Sequence, residues 1–559
     1  MIRSKSNAGR PIIGLVIVVI TAMLGFGFFV LPDADLFLKI NRGIDVFGKV
    51  YKEIALNYVD DVDPERFMRA GIDGMLKTLD PYTNYLDERE SDEIDLVTTG
   101  KYGGIGVTIG LRDGMITVVN LIEGFSAAKQ GIQTGDRIVE IDGKEVKGAT
   151  LEQVRNMVRG APGTEVRVKI EREGEVQPIE FVLVREEISV RNVSYTGYVD
   201  QGIGYVRLER FSRTAGDDVR NALKDLRSRG QLKALILDLR DNPGGLLDIA
   251  VDVAEKFLPE SSLVVSTRGR RPDSERKYFS DEKPMAPDLP LAVLVNRNSA
   301  SASEIVAGAI QDLDRGIIVG TRTFGKGLVQ TISRISESSS LKITTARYYT
   351  PSGRCIQELD YTHRTTSGAV VPIPDSLRKE YRTSHNRKVY EAGGILPDTT
   401  VEEPPPSRFV EELLRKAMFF KYANRFAAQK KVIPDKFVVT DEILKDFEAF
   451  LKEKNFEYQE ETEVKLTELR ELASKGRYAK EFHEGVEKLS GLVKQEKARV
   501  FERYKKEVKS LLAMEILGRV KGEKQRIEAS FADDTQLAVA VNLVKSRVKY
   551  EQILSGKMK

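Results

Sequence analysis

Residues 290–311 read PLAVLVNRNSASASEIVAGAIQ, and this stretch decides the fold class of the chain. Its residues 291–295 are apolar without interruption, which is typical of a strand buried on both faces of a parallel sheet. A polar turn follows, and the remaining residues have the small side chains of a closely packed helix. A second, nearly continuous apolar run at 232–239 is also followed by a helical pattern. This alternation predicts an α/β domain, which we place at residues 187–403.

Ser301 lies at the predicted junction between the buried strand and the helix. A hydroxyl at this junction projects into the cleft at the carboxyl end of the strand, where the first amides of the helix can stabilise an oxyanion. The layout resembles a nucleophile elbow, although the Gly-x-Ser-x-Gly pattern is absent. Taken alone, serines in such a segment are more often ordinary cap and turn residues.

Lys326 stands between two glycines, 25 residues after Ser301. A free lysine has a pKa of about 10.4, so it serves as a base only where desolvation lowers that pKa. Phe324 and Leu328 supply apolar surroundings, so Lys326 could take the serine proton and later deliver it to a leaving amine. Gln330 could orient the lysine or the acyl group. Activation without histidine suits this chain, whose three histidines stand in no recognisable triad context.

A third motif, Asp238-Leu-Arg-Asp-Asn-Pro-Gly-Gly245, again ends a buried strand. Its paired glycines would let backbone amides approach a substrate carbonyl. Gly244 or Gly245 is therefore a candidate oxyanion donor, with the amide of Ala302 as the second donor. In isolation, the sequence Asn-Pro-Gly-Gly is more often a plain turn.

Composition and spacing exclude several classes of protein. The 559 residues predict several domains, at about one per 150 residues, and the net charge of +3 gives no reason to expect nucleic acid. A single cysteine, Cys355, allows neither an internal disulfide nor a cysteine-based metal cluster. Residues 320–326 match the start of a phosphate-binding loop, but Gly327 replaces the Ser or Thr that would hold magnesium. We predict no cofactor and no metal.

Taken together, these motifs resemble the C-terminal processing (tail-specific) peptidase family, over about residues 40–403. The motifs that carry the resemblance are Asp80-Pro-Tyr-Thr-Asn84, Asp238–Gly245, Ser299-Ala-Ser-Ala-Ser-Glu-Ile305, Gln311-Asp312, Thr323–Gln330 and Tyr349-Thr-Pro-Ser-Gly-Arg354. The resemblance implies a serine endopeptidase that recognises protein C-termini, with Ser301 as nucleophile and Lys326 as general base. It further implies that Gln330 supports the lysine and that Asp312 has a structural or orienting role.

Residues 96–186 change character and resemble a PDZ domain. Short β-branched segments are separated by glycines, and one helical pattern lies at 150–159. Consecutive amides in a glycine loop can bind a terminal carboxylate, and the peptide then adds as a strand beside residues 107–109. Whether such a domain delivers substrate or gates the active site stays open. The predicted carboxylate-binding loop consists of Tyr102, Gly103, Gly104, Ile105 and Gly106.

The N-terminus predicts a membrane anchor. Residues 12–31 carry no charge, and a helix of that length spans roughly 30 Å, the thickness of a bilayer core. Basic residues precede the run and acidic residues follow it, which places the rest of the chain outside the cytoplasm, on the periplasmic side of the inner membrane. A cleaved signal peptide is the alternative, although no clean Ala-x-Ala site follows.

The fold class predicted is therefore multidomain α+β. Its peptidase core is α/β, with an inserted β-rich PDZ domain and helical segments at both ends. The extension after the linker Pro404-Pro-Pro406 is rich in lysine and glutamate and has no strand signals. It could pack on the core, form a homo-oligomer or bind an adaptor, with assembly favoured. The predicted parts are a cytoplasmic tip and transmembrane anchor (1–35), a helical segment (36–95), the PDZ domain (96–186), the peptidase core (187–403) and a helical extension (404–559).

Two classes of function compete. The first is an exported, membrane-anchored endopeptidase that acts on proteins bound through their C-terminal carboxylate. The second is a non-catalytic PDZ scaffold at the membrane, which would have no need for both Ser301 and Lys326. An esterase or amidase with the same dyad is less favoured, because a PDZ domain selects peptide ends.

Overall fold

The computed structural model describes residues 34–87, 99–122, 124–172, 174–337, 339–364, 370–430, 432–434, 436–476 and 478–557. The anchor predicted at 12–31 lies outside these residues. Within them, no helix combines the length and the apolar character needed to cross a bilayer.

Among the described residues, 34–85 belong to a separate compact unit. It contains the helices Ala34–Asn57 and Pro64–Leu76, and the strand Asn84–Leu86 follows. The second helix begins where its sequence predicts a start, because the Asp63 carboxylate accepts from two free backbone amides and proline takes the first helical position. The rings of Tyr51 and Phe67 stack at 5.5 Å and join the two helices.

The next part is a β-rich domain with its own apolar core. Its main sheet runs in the order Val107–Arg112, Met115–Leu121, Arg137–Ile141, Glu165–Glu171 and Ile179–Val184, so Val107–Arg112 is an edge strand. The helix Leu151–Val158 begins after Thr150, whose hydroxyl accepts from the Gln153 amide at 3.2 Å. The remaining elements are the strands Lys101–Gly104, Lys144–Glu145 and Glu186–Ser189 and the helix Ser126–Gln130.

A central sheet organises the α/β core. Its strands lie in the order Val193–Asp200, Ile203–Leu208, Ala234–Asp238, Leu291–Val295, Ile317–Gly320 and Thr399–Thr400, and all pairs except the first are parallel. Both predicted apolar runs form strands, Ala234–Asp238 and Leu291–Val295, and these two strands are buried along their whole length. One face of the sheet packs against the helices Ala215–Arg229, Leu247–Glu255 and Ala302–Asp312.

A second, antiparallel sheet continues directly from Lys326. It contains the strands Leu263–Gly269, Arg276–Phe279, Leu328–Arg334 and Ser340–Tyr349. Two short hairpins complete this part of the chain. They pair Leu359–Arg364 with Val370–Pro372 and Glu380–Arg382 with Lys388–Tyr390.

The C-terminal helices cover the opposite face of the central sheet. Ile527, Leu537, Leu543 and Ile553 share one buried cluster with sheet residues that include Tyr205. Of the placements left open for residues 404–559, the structure therefore shows packing on the core. The helices are Arg408–Arg415, Met418–Gln429, Asp441–Glu453, Glu461–Lys475, Lys480–Ala498, Val500–Arg503, Lys505–Lys521, Glu523–Ser530, Thr535–Lys545 and Arg547–Leu554.

The first of these helices form a bundle around their own aromatic core. This bundle also contacts the β-rich domain, because Lys421 Nζ lies 2.7 Å from Asp113 Oδ2 at the tip of a β-hairpin. The C-terminal part of the chain thus contacts both the β-rich domain and the central sheet.

Candidate active site

Ser301 occupies a strained turn between the strand Leu291–Val295 and the helix that follows. Its φ is +54° and its ψ is −112°, in a region that a residue other than glycine rarely adopts. Strain of this kind costs about 1–3 kcal/mol and persists only where the surroundings impose it. The predicted strand-turn-helix layout is therefore present, and the backbone strain resembles that of a nucleophile elbow.

The hydroxyls of the two serines on either side of Ser301 form hydrogen bonds within the protein core. Ser299 donates its hydroxyl to the Leu239 carbonyl at 2.7 Å, and Ser303 donates to the Asn242 carbonyl at 2.9 Å. Both are fully buried, whereas Ser301 is partly exposed. Of the three alternating serines, the middle one is thus the one that a substrate can reach.

The carboxylate of Glu304 joins the backbone at Ser301 to the backbone at Lys326. Its Oε2 accepts from the Ser301 amide at 2.8 Å and from the Lys326 amide at 3.0 Å. Its Oε1 accepts from the Thr323 hydroxyl at 2.6 Å and from the Gly325 amide at 2.7 Å. One buried carboxylate therefore holds both motifs, and the two amide nitrogens lie no farther apart than the sum of the first two distances.

Glu304 was not among the predicted site residues. A glutamate three residues after a serine at a helix start is the usual sign of a capping box, and the structure does show that backbone contact. Three of the four donors that converge on this carboxylate come from Thr323, Gly325 and Lys326, about 20 residues later, and no local sequence pattern predicts them.

Burial raises the pKa of Glu304 to about 7, because the hydrogen bonds from Thr323, Gly325, Lys326 and Ser301 offset only part of the cost of desolvating the charge. The ordinary pKa is 4.5, so the folded state holds this proton more tightly than the unfolded state. The stability that the proton supplies is complete below pH 4.5 and is lost as the pH rises through 7.

Replacing Glu304 with glutamine is therefore expected to flatten the pH dependence of stability. For the wild type, this group alone should lower the free energy of unfolding by on the order of 3 kcal/mol between about pH 4.5 and pH 8. Melting temperatures at both pH values would measure the difference. The control is Glu255→Gln, which removes a buried carboxylate that instead pairs with Lys256 at 3.1 Å. An equal decline in wild type and Glu304→Gln would contradict the expectation.

The two glycines around Lys326 are required by close packing. A Cβ at Gly325 would lie 2.6 Å from the Glu358 side chain, and one at Gly327 would lie 2.9 Å from the Gln357 amide. The Lys326 side chain is half-buried, and Leu328 beside it is 8% exposed. Phe324, predicted to help keep the lysine dry, is itself 42% exposed.

Gln330 and Asp312 have contacts that fit supporting roles. Gln330 Nε2 donates to Thr344 Oγ1 at 3.1 Å, on the neighbouring strand. Asp312, fully buried, accepts from Arg354 Nη2 at 2.7 Å and from the Ser352 amide at 3.0 Å. Asp312 therefore anchors the predicted 349–354 motif to the end of the helix that begins at Ala302.

The glycine motif lies directly against Ser301. A Cβ at Gly244 would be 2.8 Å from both Ser301 Cβ and the Ala302 amide nitrogen. The Gly244 amide itself donates to Asn242 Oδ1 at 2.9 Å. Within the described part of the chain, the amides of Gly245 and Ala302 have no hydrogen-bond acceptor. Of the two predicted glycine donors, Gly245 is therefore the one whose amide is left for a substrate oxygen.

A cavity of about 400 Å³ opens beside Gly244. Its walls include the backbone turn at Pro243 and three arginine side chains, Arg207, Arg210 and Arg240. The cavity gives a substrate chain room beside the glycine motif.

The predicted carboxylate-binding loop is a tight turn in the β-rich domain. The strand Lys101–Gly104 pairs with Glu186–Ser189, and residues 105 and 106 turn into the edge strand Val107–Arg112. Gly106 has a φ of +82°, and a Cβ there would lie 2.5 Å from Phe125 Cβ. The strand beside which an added peptide strand is predicted does lie at an edge of its sheet. Arg159 lies over the Tyr102 ring at 4.7 Å.

Comparisons with known proteins agree with this architecture. Residues 202–363 match the model of Peptidase family S41, and residues 117–172 match a PDZ domain. A carboxy-terminal-processing protease of Bartonella bacilliformis is 40% identical over 366 residues, which is 65% of this chain and 76% of that protein. This chain belongs to the carboxy-terminal-processing proteases of peptidase family S41. The predicted C-terminal processing peptidase with a PDZ domain is confirmed, and the non-catalytic scaffold is wrong.

Further matches of this carboxy-terminal-processing protease extend to its other parts. Residues 409–544 match the C-terminal helical domain of a probable PDZ-protease, and residues 38–90 match the N-terminal domain of the activating protease CtpB. The carboxy-terminal processing protease CtpA of Bacillus subtilis is 32% identical over 350 residues, or 62% of this chain and 73% of that protein. The solved photosystem II D1 C-terminal processing protease is 28% identical and covers 64% of this chain and 92% of its own, with a TM-score of 0.34.

Proposed function

We propose that this serine peptidase cleaves proteins that it recognises by their C-termini, with Ser301 as nucleophile and Lys326 as general base. The carboxylate of Glu304 carries the proposal, because it binds the backbone amides of both residues. A neutral lysine amine would take the proton from the Ser301 hydroxyl as the oxygen attacks the scissile carbonyl. The same amine, now protonated, would give the proton to the leaving nitrogen.

The charge that develops on the substrate oxygen needs donors that are already in place. The amides of Gly245 and Ala302 supply them, and Gly244 lets the two segments come together because it has no side chain. Water would then attack the acyl-enzyme, with Lys326 acting again as the base. Gln330 and Asp312 act as supporting residues, through the strand beside the lysine and through the Arg354 anchor.

Covalent labelling tests these assignments directly. A fluorophosphonate probe reacts with an activated serine, so mass spectrometry is expected to locate one adduct, on Ser301. Labelling should be lost when Lys326 is replaced with methionine, because the serine then lacks its base. An adduct on another serine, or undiminished labelling of the lysine variant, would overturn the proposed roles.

The PDZ loop, from Tyr102 to Gly106, is proposed to bind the substrate's terminal carboxylate. Amidating the C-terminus of a peptide substrate removes charge-assisted hydrogen bonds worth about 1.5–3 kcal/mol. The KM is therefore expected to rise roughly tenfold or more, with kcat less affected. Steady-state kinetics on the free-acid and amidated forms of one peptide would measure this. Equal KM values would show that the loop does not read the carboxylate.

We also propose that residues 12–31 anchor the protease in the inner membrane, with the catalytic part on the extracytoplasmic side. The length of the uncharged run and the charges on either side of it support this placement. A cleaved signal peptide would export the same body without an anchor, and membrane fractionation separates the two. Assembly into homo-oligomers, or binding of an adaptor through the C-terminal helices, stays a prediction.

A further inference from the structure

Arg240 joins the C-terminal helices to the active-site loop through two carboxylates. Its guanidinium donates to Asp238 from Nε at 3.0 Å and from Nη2 at 2.7 Å. From the other side, Nη1 donates to Asp534 Oδ1 at 3.0 Å and Nη2 donates to Asp534 Oδ2 at 2.6 Å. The contact with Asp534 is a bidentate fork, the strongest geometry for an arginine and a carboxylate.

The network around Arg240 is shielded from water on both sides. The Arg240 and Asp534 side chains are 13% and 11% exposed, and Asp238 is fully buried. A second residue of the C-terminal part, Gln536, accepts from Arg240 Nη1 at 3.2 Å and donates to the Val401 carbonyl at 3.0 Å. A guanidinium held this way has little freedom to move, since each partner is itself fixed.

Arg240 begins the loop that supplies the proposed oxyanion donor. Two residues later, the Asn242 carbonyl accepts from the Ala300 amide at 3.0 Å, next to the nucleophile. Asn242 Oδ1 in turn binds the Gly244 amide at 2.9 Å. The backbone at Arg240 is therefore one support of the Gly245 amide, beside the backbone hydrogen bonds of Phe211 with Gly244 and Leu246. Arg240 also lines the cavity beside Gly244, so a released guanidinium has space to move into.

We propose that Asp534 is a positioning residue for catalysis, which acts through Arg240 on the loop Asp241–Gly245. This inference rests on the proposed function, since it assigns that loop the role of holding an oxyanion donor. The C-terminal extension then contributes to the chemistry as well as to the core. The distance that matters is the one between the Gly245 amide and the substrate oxygen, and small displacements there are costly to catalysis.

Asp534 also caps a helix, and the test must separate this structural role from its contact with Arg240. Its Oδ1 also accepts from the Leu537 amide at 2.8 Å, which caps the helix Thr535–Lys545. Asparagine caps helices about as well as aspartate. The variant Asp534→Asn therefore keeps the cap and removes the charged fork. The neighbouring Asp533→Asn is a matched control, because Asp533 lies 2.7 Å from Lys506 Nζ and takes no part in the Arg240 network.

The test compares three variants of the full-length protease with wild type. Asp534→Asn is expected to lower kcat about tenfold to 100-fold on a peptide substrate, with KM within twofold of wild type. Asp534→Glu, which keeps the charge, should recover part of the loss. Hydrogen exchange of a fragment covering residues 239–246 should be faster in Asp534→Asn than in wild type. Asp533→Asn should match wild type in both measurements.

Two results would overturn the proposal. One is equal kcat and equal exchange in Asp534→Asn and Asp533→Asn. The other is a loss of activity in Asp534→Asn that follows its melting temperature, with normal exchange at 239–246, because that pattern means general destabilisation. Exchange does not depend on peptidase chemistry, so it still decides the role of Asp534 if Ser301 proves not to be the nucleophile.

Discussion

Replacing Ser301 with alanine is expected to abolish peptide-bond cleavage and leave the fold intact. The loss of a serine nucleophile lowers kcat by a factor on the order of 10⁶, because the acyl intermediate can then no longer form on this side chain. The side chain is small and partly exposed, so its removal creates no cavity in the core. Cleavage of an unfolded protein with an apolar C-terminus, with circular dichroism to follow the fold, would measure both outcomes.

The neighbouring serines provide the matched controls. Ser299→Ala and Ser303→Ala each remove one buried hydroxyl that donates to a backbone carbonyl. Each should cost about 1–3 kcal/mol of stability, because a buried acceptor loses its donor. Cleavage should remain detectable in both variants. If Ser301→Ala still cleaves at the wild-type rate, or if one of the controls is the inactive variant, the nucleophile is assigned to the wrong residue.

Lys326→Met gives a second, independent result. Methionine keeps the apolar stem and removes the amine, so the serine loses its base while the packing is retained. The expected loss of activity is as large as that of Ser301→Ala, because residues that act as a unit fail together. Lys277→Met, on an exposed strand position, controls for the loss of a positive charge. Activity of the Lys326 variant comparable to wild type would exclude the dyad.

The strands of the core could be predicted because an uninterrupted apolar run of this length indicates a strand buried on both faces. Five apolar residues in a row, as at Leu291–Val295, need burial on both faces, and a central parallel strand provides it. The turn after this strand and the small residues beyond it then place Ser301 at a helix start. Lys326 could be singled out because it stands between two glycines among apolar neighbours, and the resemblance to the C-terminal processing peptidases then implied its role as base.

The contacts made by Glu304 and Asp534 could not be predicted in the same way. Each residue lies at a helix start, where its side chain is expected to cap the helix. That local role already accounts for its presence in the sequence, so nothing there indicates a second, distant partner. Their partners at Thr323 and Arg240 come close only after the sheet has formed. The apolar stripe of a helix shows that one face will be buried, but it does not say against which surface. The sequence therefore left the placement of the C-terminal helices open.

Removing residues 404–559 is expected to destroy the fold of the peptidase core. The truncation strips one whole face of the central sheet, where Tyr205, Ile236 and Leu294 are at most 1% exposed. A buried Val, Leu or Ile contributes about 1.5–3 kcal/mol. Five such side chains leave with the truncation, so the loss is comparable to the whole stability of a domain, about 5–15 kcal/mol. They are Ile527, Leu537, Leu543, Val544 and Ile553.

The truncated chain should therefore be insoluble or lack a cooperative melting transition, whereas an extension used only for assembly would leave a folded monomer. A pair of point variants in the same helical layer separates burial from charge. Leu537→Asp places a carboxylate at a position that is 3% exposed, and Val548→Asp places one at a position that is 66% exposed. The first should lower the melting temperature sharply and the second should not, because a buried unpaired carboxylate has no compensating partner. A soluble truncated protein with wild-type melting behaviour would mean that the C-terminal helices are dispensable for the sheet.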